Sequence, residues 1–180
     1  TDAACTSGYG FIVQQQQADD SWRPLLCNSR VLTEAEKNYS PIEAEMAALT
    51  WSLRKAEKFL KGQNIVVYTD HKPLIPIINK KRLDEVSNER LRSKLMYISD
   101  FDVTAEYISG SENIAADTFS RKPVSEPDQE DLKESEDLVQ RVRAIHMKAI
   151  NMSECDLQLQ EIKTTANQDL VYQKLKKQIV

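Results

Sequence analysis

The sequence has few cysteines and histidines and no long apolar run. Cys5, Cys27 and Cys155 are widely spaced, without a C-x-x-C pair or the even number typical of a secreted disulfide framework. No apolar run approaches the roughly 18 residues that a membrane span requires, and no basic start precedes an apolar stretch. We therefore expect reduced, intracellular thiols in a chain that is neither secreted nor membrane-bound.

An excess of basic residues is also absent. The 180 residues include 24 Lys and Arg against 28 Asp and Glu, which gives a net charge of −4. This balance excludes a uniformly basic nucleic-acid-binding surface, although local basic patches remain compatible with it. A length of 180 residues has room for one ordinary domain and an appendage. A hydrophobic content of 41% with 29% charged residues is typical of a soluble globular chain.

Apolar periodicity predicts strands in the first two thirds of the chain. Alternation over residues 9–14 and an apolar run at Trp22–Arg30 predict a hairpin, with Gln14–Asp20 as its polar connection. Two further β-rich runs, Ile65–Tyr68 and Val103–Ile108, each end in turn-forming residues. Together with the helices below, these strands predict an α/β fold.

Helical signals lie between and after the strands. Ser40 as N-cap, Pro41 at the first helical position and Glu43 in a capping box predict a helix that continues to Gly62. Its buried stripe comprises Ile42, Met46, Leu49, Leu53, Ala56 and Leu60. Further helices are predicted at Leu74–Asn79, Asn88–Ser99 and Ile114–Ser120.

The composition changes after Arg121. Residues 122–131 are acidic and contain proline, which predicts a linker between a domain at 1–121 and a helical segment at 132–180. Within that segment we expect two helices, Leu132–Ile150 and Ser153–Val180, with Ser153 as the N-cap of the second.

Four acids stand in different local contexts: Asp2, Glu45, Asp70 and Asp117. Singly, most acids are solvated or cap a helix, and spacing alone supports nothing more for Asp2 and Asp117. Glu45 differs because it falls on the apolar stripe of its helix, where an unpaired charge is costly. Asp70 follows a predicted strand, where sites of open α/β folds gather. Acids without His or Cys companions suit a hard cation such as magnesium, and therefore phosphoryl transfer.

Several short motifs agree at once with one known family. They are Thr1-Asp-Ala3 with Gly8-Tyr-Gly10, Ser29-Arg-Val-Leu-Thr33, Asn38-Tyr-Ser-Pro41, Thr69-Asp-His-Lys-Pro-Leu74, Tyr107-Ile-Ser-Gly110, Asn113 and Ala116-Asp117. In this order, over Thr1–Arg121, the chain closely resembles the ribonuclease H domain of gypsy-like retrotransposon polyproteins. The resemblance depends on the whole set, since each motif alone is weak.

The resemblance implies a ribonuclease H-like fold, with a mixed five-stranded sheet flanked by helices. Its first strand would be truncated, because its upstream half would precede Thr1. Motif by motif, Asp2, Glu45, Asp70 and Asp117 would be the catalytic and metal-binding acids. The implied reaction is endonucleolytic hydrolysis of the RNA strand of an RNA–DNA hybrid with two Mg²⁺ ions, for which Mn²⁺ is an alternative.

The same resemblance implies contacts to substrate. The residues that we expect to bind the hybrid are His71, Lys72, Arg90, Arg92 and Asn113. A basic segment for the phosphate backbone is formed by Lys80, Lys81, Arg82, Arg90, Arg92 and Lys94, although an ordinary solvated face explains these residues equally well. The histidine that cellular members of the superfamily carry before the last acid is missing from Tyr107–Asn113.

Expectations for partners and location follow only from the family. The partners would be a reverse transcriptase polymerase domain upstream and an integrase downstream in one polyprotein, with residues 132–180 as the connector. The location would be cytoplasmic virus-like particles, and later the nucleus. The alternative hypothesis is a non-catalytic hybrid-binding or connection module that supports a neighbouring reverse transcriptase. A structural helical adaptor explains residues 132–180 but not the acids.

Overall fold

The structure, a computed structural model, describes residues 1–80 and 82–168. Its elements are β1 (Asp2–Ala4), β2 (Gly8–Gln16), β3 (Trp22–Val31), α1 (Pro41–Lys55), α2 (Glu57–Leu60), β4 (Asn64–Thr69), α3 (Leu74–Lys80), α4 (Glu89–Ile98), β5 (Asp102–Tyr107), α5 (Ile114–Arg121) and α6 (Gln129–Gln168). The chain divides into two compact units between Leu138 and Val139. None of the helices in the described ranges is long and apolar enough to span a membrane.

The strands form two ladders. β1, β2 and β3 pair antiparallel in chain order, with Asp2 opposite Gly10, whereas β4 and β5 pair in parallel. The backbone nitrogen of Thr1 donates to the Tyr68 carbonyl over 3.1 Å and so links β1 to β4. The predicted mixed α/β architecture is confirmed. In the described residues the five strands form two ladders, because β1 has only three residues and the hydrogen bond to β4 comes from Thr1, the residue before β1.

An open cleft lies between β2 and β4. It has a volume of about 870 Å³, and apolar side chains such as Phe11, Leu49 and Val67 line it. The first strand therefore does not separate β2 from β4 along their full length. That the first strand is truncated stays a prediction.

Helix α1 lies at the centre of the first unit. Its N-terminus has the predicted box, since the Ser40 backbone N–H and hydroxyl both donate to Glu43 over 2.8 Å. All its residues from Glu43 to Leu53 are buried. One face packs with β4, α3 and α4, and the other packs on β2, where Trp51 meets Phe11 edge-on at 5.2 Å. A helix buried on both faces places its side chains rigidly.

Three boundaries differ from the sequence prediction. The helix predicted to continue to Gly62 breaks at Ala56. One turn before this break, the Ser52 hydroxyl donates to the Ala48 carbonyl over 2.7 Å. Such back-bonding commonly bends a helix. The shorter α2 ends before Gly62, which adopts a φ of +76° that glycine tolerates. The hairpin connection is also shorter than predicted, because β2 extends to Gln16.

The C-terminal part forms one helix, α6, where two were predicted. It begins at Gln129, inside the predicted linker, and Ser153 lies within it, so the prediction of Ser153 as an N-cap was wrong. Residues 169–180 of the second predicted helix lie outside the described residues. The first turns of α6 belong to the first unit because Asp131 and Leu138 are buried there. The domain boundaries at 121 and 131 stay a prediction.

A buried ionic network attaches these turns. Both terminal nitrogens of Arg30 donate hydrogen bonds to the Glu36 carboxylate, at 2.7 and 2.8 Å. Its Nε lies 3.3 Å from Asp131 Oδ2. The guanidinium also lies over the rings of Tyr9 and Trp51, at 4.8 and 5.2 Å from their centroids. Since Arg30, Glu36 and Asp131 are all at most 5% exposed, removing one partner leaves a buried charge uncompensated.

This network predicts a large difference between two glutamates only two positions apart. Glu36→Gln should lower the free energy of unfolding by about 3 kcal/mol, because Arg30 loses the nearer of its two buried counter-charges. Glu34→Gln should change it by less than about 1 kcal/mol, because Glu34 pairs with Lys37 in solvent. Urea denaturation of both variants measures the difference, and equal losses would contradict this account of the network.

Candidate metal centre

Three of the predicted acids meet at one place. Each of Asp2, Glu45 and Asp70 offers a carboxylate oxygen, and these oxygens all lie within 4.8 Å of one another. Asp2 and Glu45 are buried, and Asp70 is half-buried. The three come from β1, from α1 and from the residue after β4, so they converge only in the folded chain.

Each acid is placed by its own element. Asp2 is held by the pairing of β1 with β2. Glu45 lies on the buried α1, and its Oε1 accepts a hydrogen bond from the Ala3 backbone N–H at 3.3 Å. Asp70 follows the end of β4, where the His71 N–H donates to the Thr69 hydroxyl over 3.1 Å and shapes the turn. The sequence prediction of Asp70 at a strand end and Glu45 on a buried helix face is confirmed.

The electrostatics of the group favour a proton or a cation. Burial, followed by the negative charges of Asp2 and Asp70, raises the pKa of Glu45 to about 8. Burial is also the largest cause that raises the pKa of Asp2, with Asp70 and Asp117 adding to it and a hydrogen bond from Ser120 opposing it. Because the three carboxylates interact, a proton on them belongs to the group and not to one residue.

The donor set fits a hard divalent cation. All three groups are carboxylates, which suit Mg²⁺ or Mn²⁺ better than a softer metal. Among the described residues, the buried Glu45 Oε2 has no hydrogen-bond partner. Burying such an atom is unfavourable unless something compensates it. A cation at this place would satisfy that oxygen and reduce the repulsion between the carboxylates.

Asp117, the fourth predicted acid, lies outside this group. Its Oδ1 accepts a hydrogen bond from Arg121 Nε over 2.7 Å, one turn later on α5. It is nevertheless close enough to Asp2 to raise the pKa of that residue. The structure therefore brings together three of the four acids, and the carboxylate of the fourth pairs with Arg121.

Three of the residues predicted to bind substrate lie around the centre. His71 directly follows Asp70, and Lys72 Nζ lies 4.6 Å from the centroid of the exposed Tyr107 ring. Asn113 is buried and donates to the Thr1 carbonyl over 3.0 Å, so its amide supports the start of β1. That any of the three binds substrate stays a prediction.

The two predicted arginines on α4 have structural partners. Arg90 donates to Glu43 over 3.1 Å and lies 5.2 Å from the centroid of the Tyr39 ring, so it joins α4 to the start of α1. Arg92 pairs with Glu89 on its own helix. In the rest of the basic segment, Lys94 pairs with Glu134, while Lys81 lies outside the described residues. Their substrate contacts likewise stay predictions.

Sequence reasoning missed two residues at the centre. Ser120 is fully buried on α5, and its hydroxyl donates to Asp2 Oδ2. Gly110 approaches Asp70 so closely that a Cβ there would lie 3.1 Å from Oδ2. Ser120 follows Asp117 by three residues on one helix, so the spacing indicates that both lie on the same helix face. That this face packs beside β1 is visible only in the fold.

The raised pKa of Glu45 predicts a pH dependence for the metal-free protein. The free energy of unfolding should fall as the pH rises from about 4.5 to about 8, because the folded state keeps a proton that the unfolded chain has released. Glu45→Gln should flatten this decline, and the exposed Glu106→Gln should leave it unchanged. Chemical denaturation at several pH values with chelator measures the slopes; a parent-like slope for Glu45→Gln would refute the prediction.

The sequence of this chain is similar to known proteins. Residues 1–101 match the family described as "RNase H-like domain found in reverse transcriptase". The chain is 33% identical over 123 residues to the retrovirus-related Pol polyprotein from transposon gypsy of Drosophila melanogaster. The aligned region covers 68% of this chain and 11% of that protein.

Two further relatives are similar to the same extent. The Pol polyprotein from transposon opus, also of Drosophila melanogaster, is 34% identical over 68% of this chain and 12% of its own length. The transposon Tf2-3 polyprotein of Schizosaccharomyces pombe is 32% identical over 67% of this chain and 9% of its own length. The chain thus spans about a tenth of the relatives it matches. It belongs to the family of RNase H-like domains found in reverse transcriptases.

Proposed function

We propose that this domain is an endonuclease that hydrolyses the RNA strand of RNA–DNA hybrids with two divalent cations, as part of a retrotransposon reverse transcriptase polyprotein. The observation that carries the proposal is the group formed by Asp2, Glu45 and Asp70, whose oxygens lie within 4.8 Å of one another. Membership in the family of RNase H-like domains supports it.

In this proposal the three carboxylates hold the cations. Asp2, Glu45 and Asp70 would be the ligands, because each offers a carboxylate oxygen to the group, and Mg²⁺ is the expected ion, with Mn²⁺ as the alternative. Bound divalent cations supply an activated water and stabilise the leaving oxygen in phosphodiester hydrolysis. The chain itself contributes fixed positions, because burial and backbone pairing hold Asp2 and Glu45 before substrate arrives.

Substrate binding is assigned to the exposed rim of the centre. Lys72 and Tyr107 lie together near Asp70, where a cation and an aromatic ring suit a phosphate backbone and a sugar or base. Selection of the RNA strand requires contacts to 2′-hydroxyl groups, and base identity need not be read. We therefore propose weak sequence preference.

The wider setting is also a proposal. A polymerase domain upstream and an integrase downstream in one polyprotein would be its partners, with residues 132–180 as the connector. The corresponding location is the cytoplasmic virus-like particle, and later the nucleus. The names of the relatives, Pol polyproteins of transposons, support this setting.

A second candidate function is a non-catalytic module that binds hybrid for a neighbouring polymerase. The observation that favours it is Asp117, whose carboxylate is paired with Arg121 outside the group of three. A centre that lacks its fourth acid would hold cations less firmly. The two functions differ in one measurable property, because the second binds hybrid without cutting it.

Cleavage of a labelled RNA–DNA hybrid with Mg²⁺ tests the proposal. Asp70→Asn should lower the cleavage rate at least about a hundredfold, because it removes one negative ligand from the centre. Asp100→Asn, an exposed aspartate on the loop before β5, is the matched control and should keep the parent rate. Binding of the hybrid without cleavage by the parent chain, or equal cleavage by parent and Asp70→Asn, would reject the nuclease assignment.

A further inference from the structure

Ser120 is the buried polar side chain that connects α5 to the candidate metal centre. It is fully buried, and its hydroxyl donates to Oδ2 of Asp2, a residue 118 positions away in the sequence. The same hydroxyl lies 2.9 Å from the Asp117 carbonyl one turn earlier on its own helix. Ser120 therefore bonds directly to an acid of the centre while lying outside the group of three.

Gly10 allows α5 to approach β2 closely enough for this hydrogen bond. A Cβ at Gly10 would lie 2.4 Å from the Ser120 backbone nitrogen and 2.6 Å from the Ala116 carbonyl, so any side chain there would push α5 away. Gly10 is also the β2 residue paired with Asp2. The helix thus packs against the sheet at the position opposite the acid, which places the Ser120 hydroxyl on that carboxylate.

The contact has a physical consequence for Asp2. The Asp2 carboxylate is repelled by the negative charges of Asp70 and Glu45. If the Asp2 side chain could rotate freely, this repulsion would turn its carboxylate away from the other two. A hydrogen bond from a buried hydroxyl favours the charged form and fixes one oxygen. A cation would then meet this carboxylate in a defined orientation.

We propose that Ser120 is a positioning residue that orients Asp2 for divalent cation binding. This inference rests on the proposed function in that it assigns the group of three to a cation. It goes further, because it adds a residue from α5 that supports a ligand on β1. Partners that orient metal ligands typically contribute about 10-fold to 100-fold in metal affinity.

A merely structural role is the competing explanation, since a serine in the last turn of a helix often bonds to its own backbone. Ser52 provides the matched control. It is also a buried serine in a helix, and its hydroxyl donates to the Ala48 carbonyl over 2.7 Å without contacting any acid of the centre. A structural loss should affect both serines in the same way, whereas a positioning loss should affect only Ser120.

The experiment is a titration of the full chain with Mn²⁺, followed by the electron paramagnetic resonance signal of free Mn²⁺. Ser120→Ala should weaken binding about tenfold, and Ser52→Ala should keep the parent affinity within about twofold, with melting temperatures of both recorded beside it. Ser120→Cys, which is nearly isosteric and a weaker donor, should also weaken binding and serves if Ser120→Ala does not fold.

Parent affinity in Ser120→Cys and Ser120→Ala, equal weakening in Ser52→Ala, or no Mn²⁺ binding by the parent would each overturn the inference. Failure of the nuclease proposal is distinguishable from these outcomes. A chain that binds Mn²⁺ in a Ser120-dependent manner but leaves the hybrid intact would retain the positioning role and reject only the catalytic function.

Discussion

Repulsion between buried carboxylates is the constraint on which the rest of this structure depends. Asp2, Glu45 and Asp70 are held within a few ångströms of one another, and two of them are largely removed from water. Burial, followed by the negative charges of Asp2 and Asp70, raises the pKa of Glu45 to about 8. Such a group persists only if the surrounding fold keeps its members from separating, and it is relieved when a proton or a cation binds.

The fold resists this separation by fixing each acid through a different kind of contact. Glu45 is carried by a helix buried on both faces, Asp2 by strand pairing and a buried hydroxyl, and Asp70 by the turn after a parallel strand. The ionic network around Arg30 then holds the first turns of α6 against β3 and α1. These contacts come from different elements, so each acid has a support of its own.

Much of this arrangement was predictable from local sequence. The box at Ser40 and Glu43 defines the start of α1, and the apolar stripe places Glu45 on its buried face. The β-rich run Ile65–Tyr68 places Asp70 at the end of a strand. Each of these predictions needs only the residues of one helix or one strand, because capping residues and apolar periodicity are local patterns. The resemblance to a known family supplied the expectation that Asp2 joins them.

What the sequence did not reveal depends on contacts between distant residues. Asp117 pairs with Arg121 on α5 and not with the centre, and Ser120 reaches Asp2 only because Gly10 admits the helix. The acidic residues around Asp131 predict a linker, whereas its partners Arg30 and Arg54 lie about 100 and 77 positions earlier in the sequence. No local pattern identifies such partners.

The most direct test of the central claim is anomalous diffraction from crystals of this protein soaked in Mn²⁺. The account predicts anomalous peaks at bonding distance from the carboxylate oxygens of Asp2, Glu45 and Asp70. Peaks that lie only elsewhere on the molecule, with these three carboxylates unliganded, would contradict it.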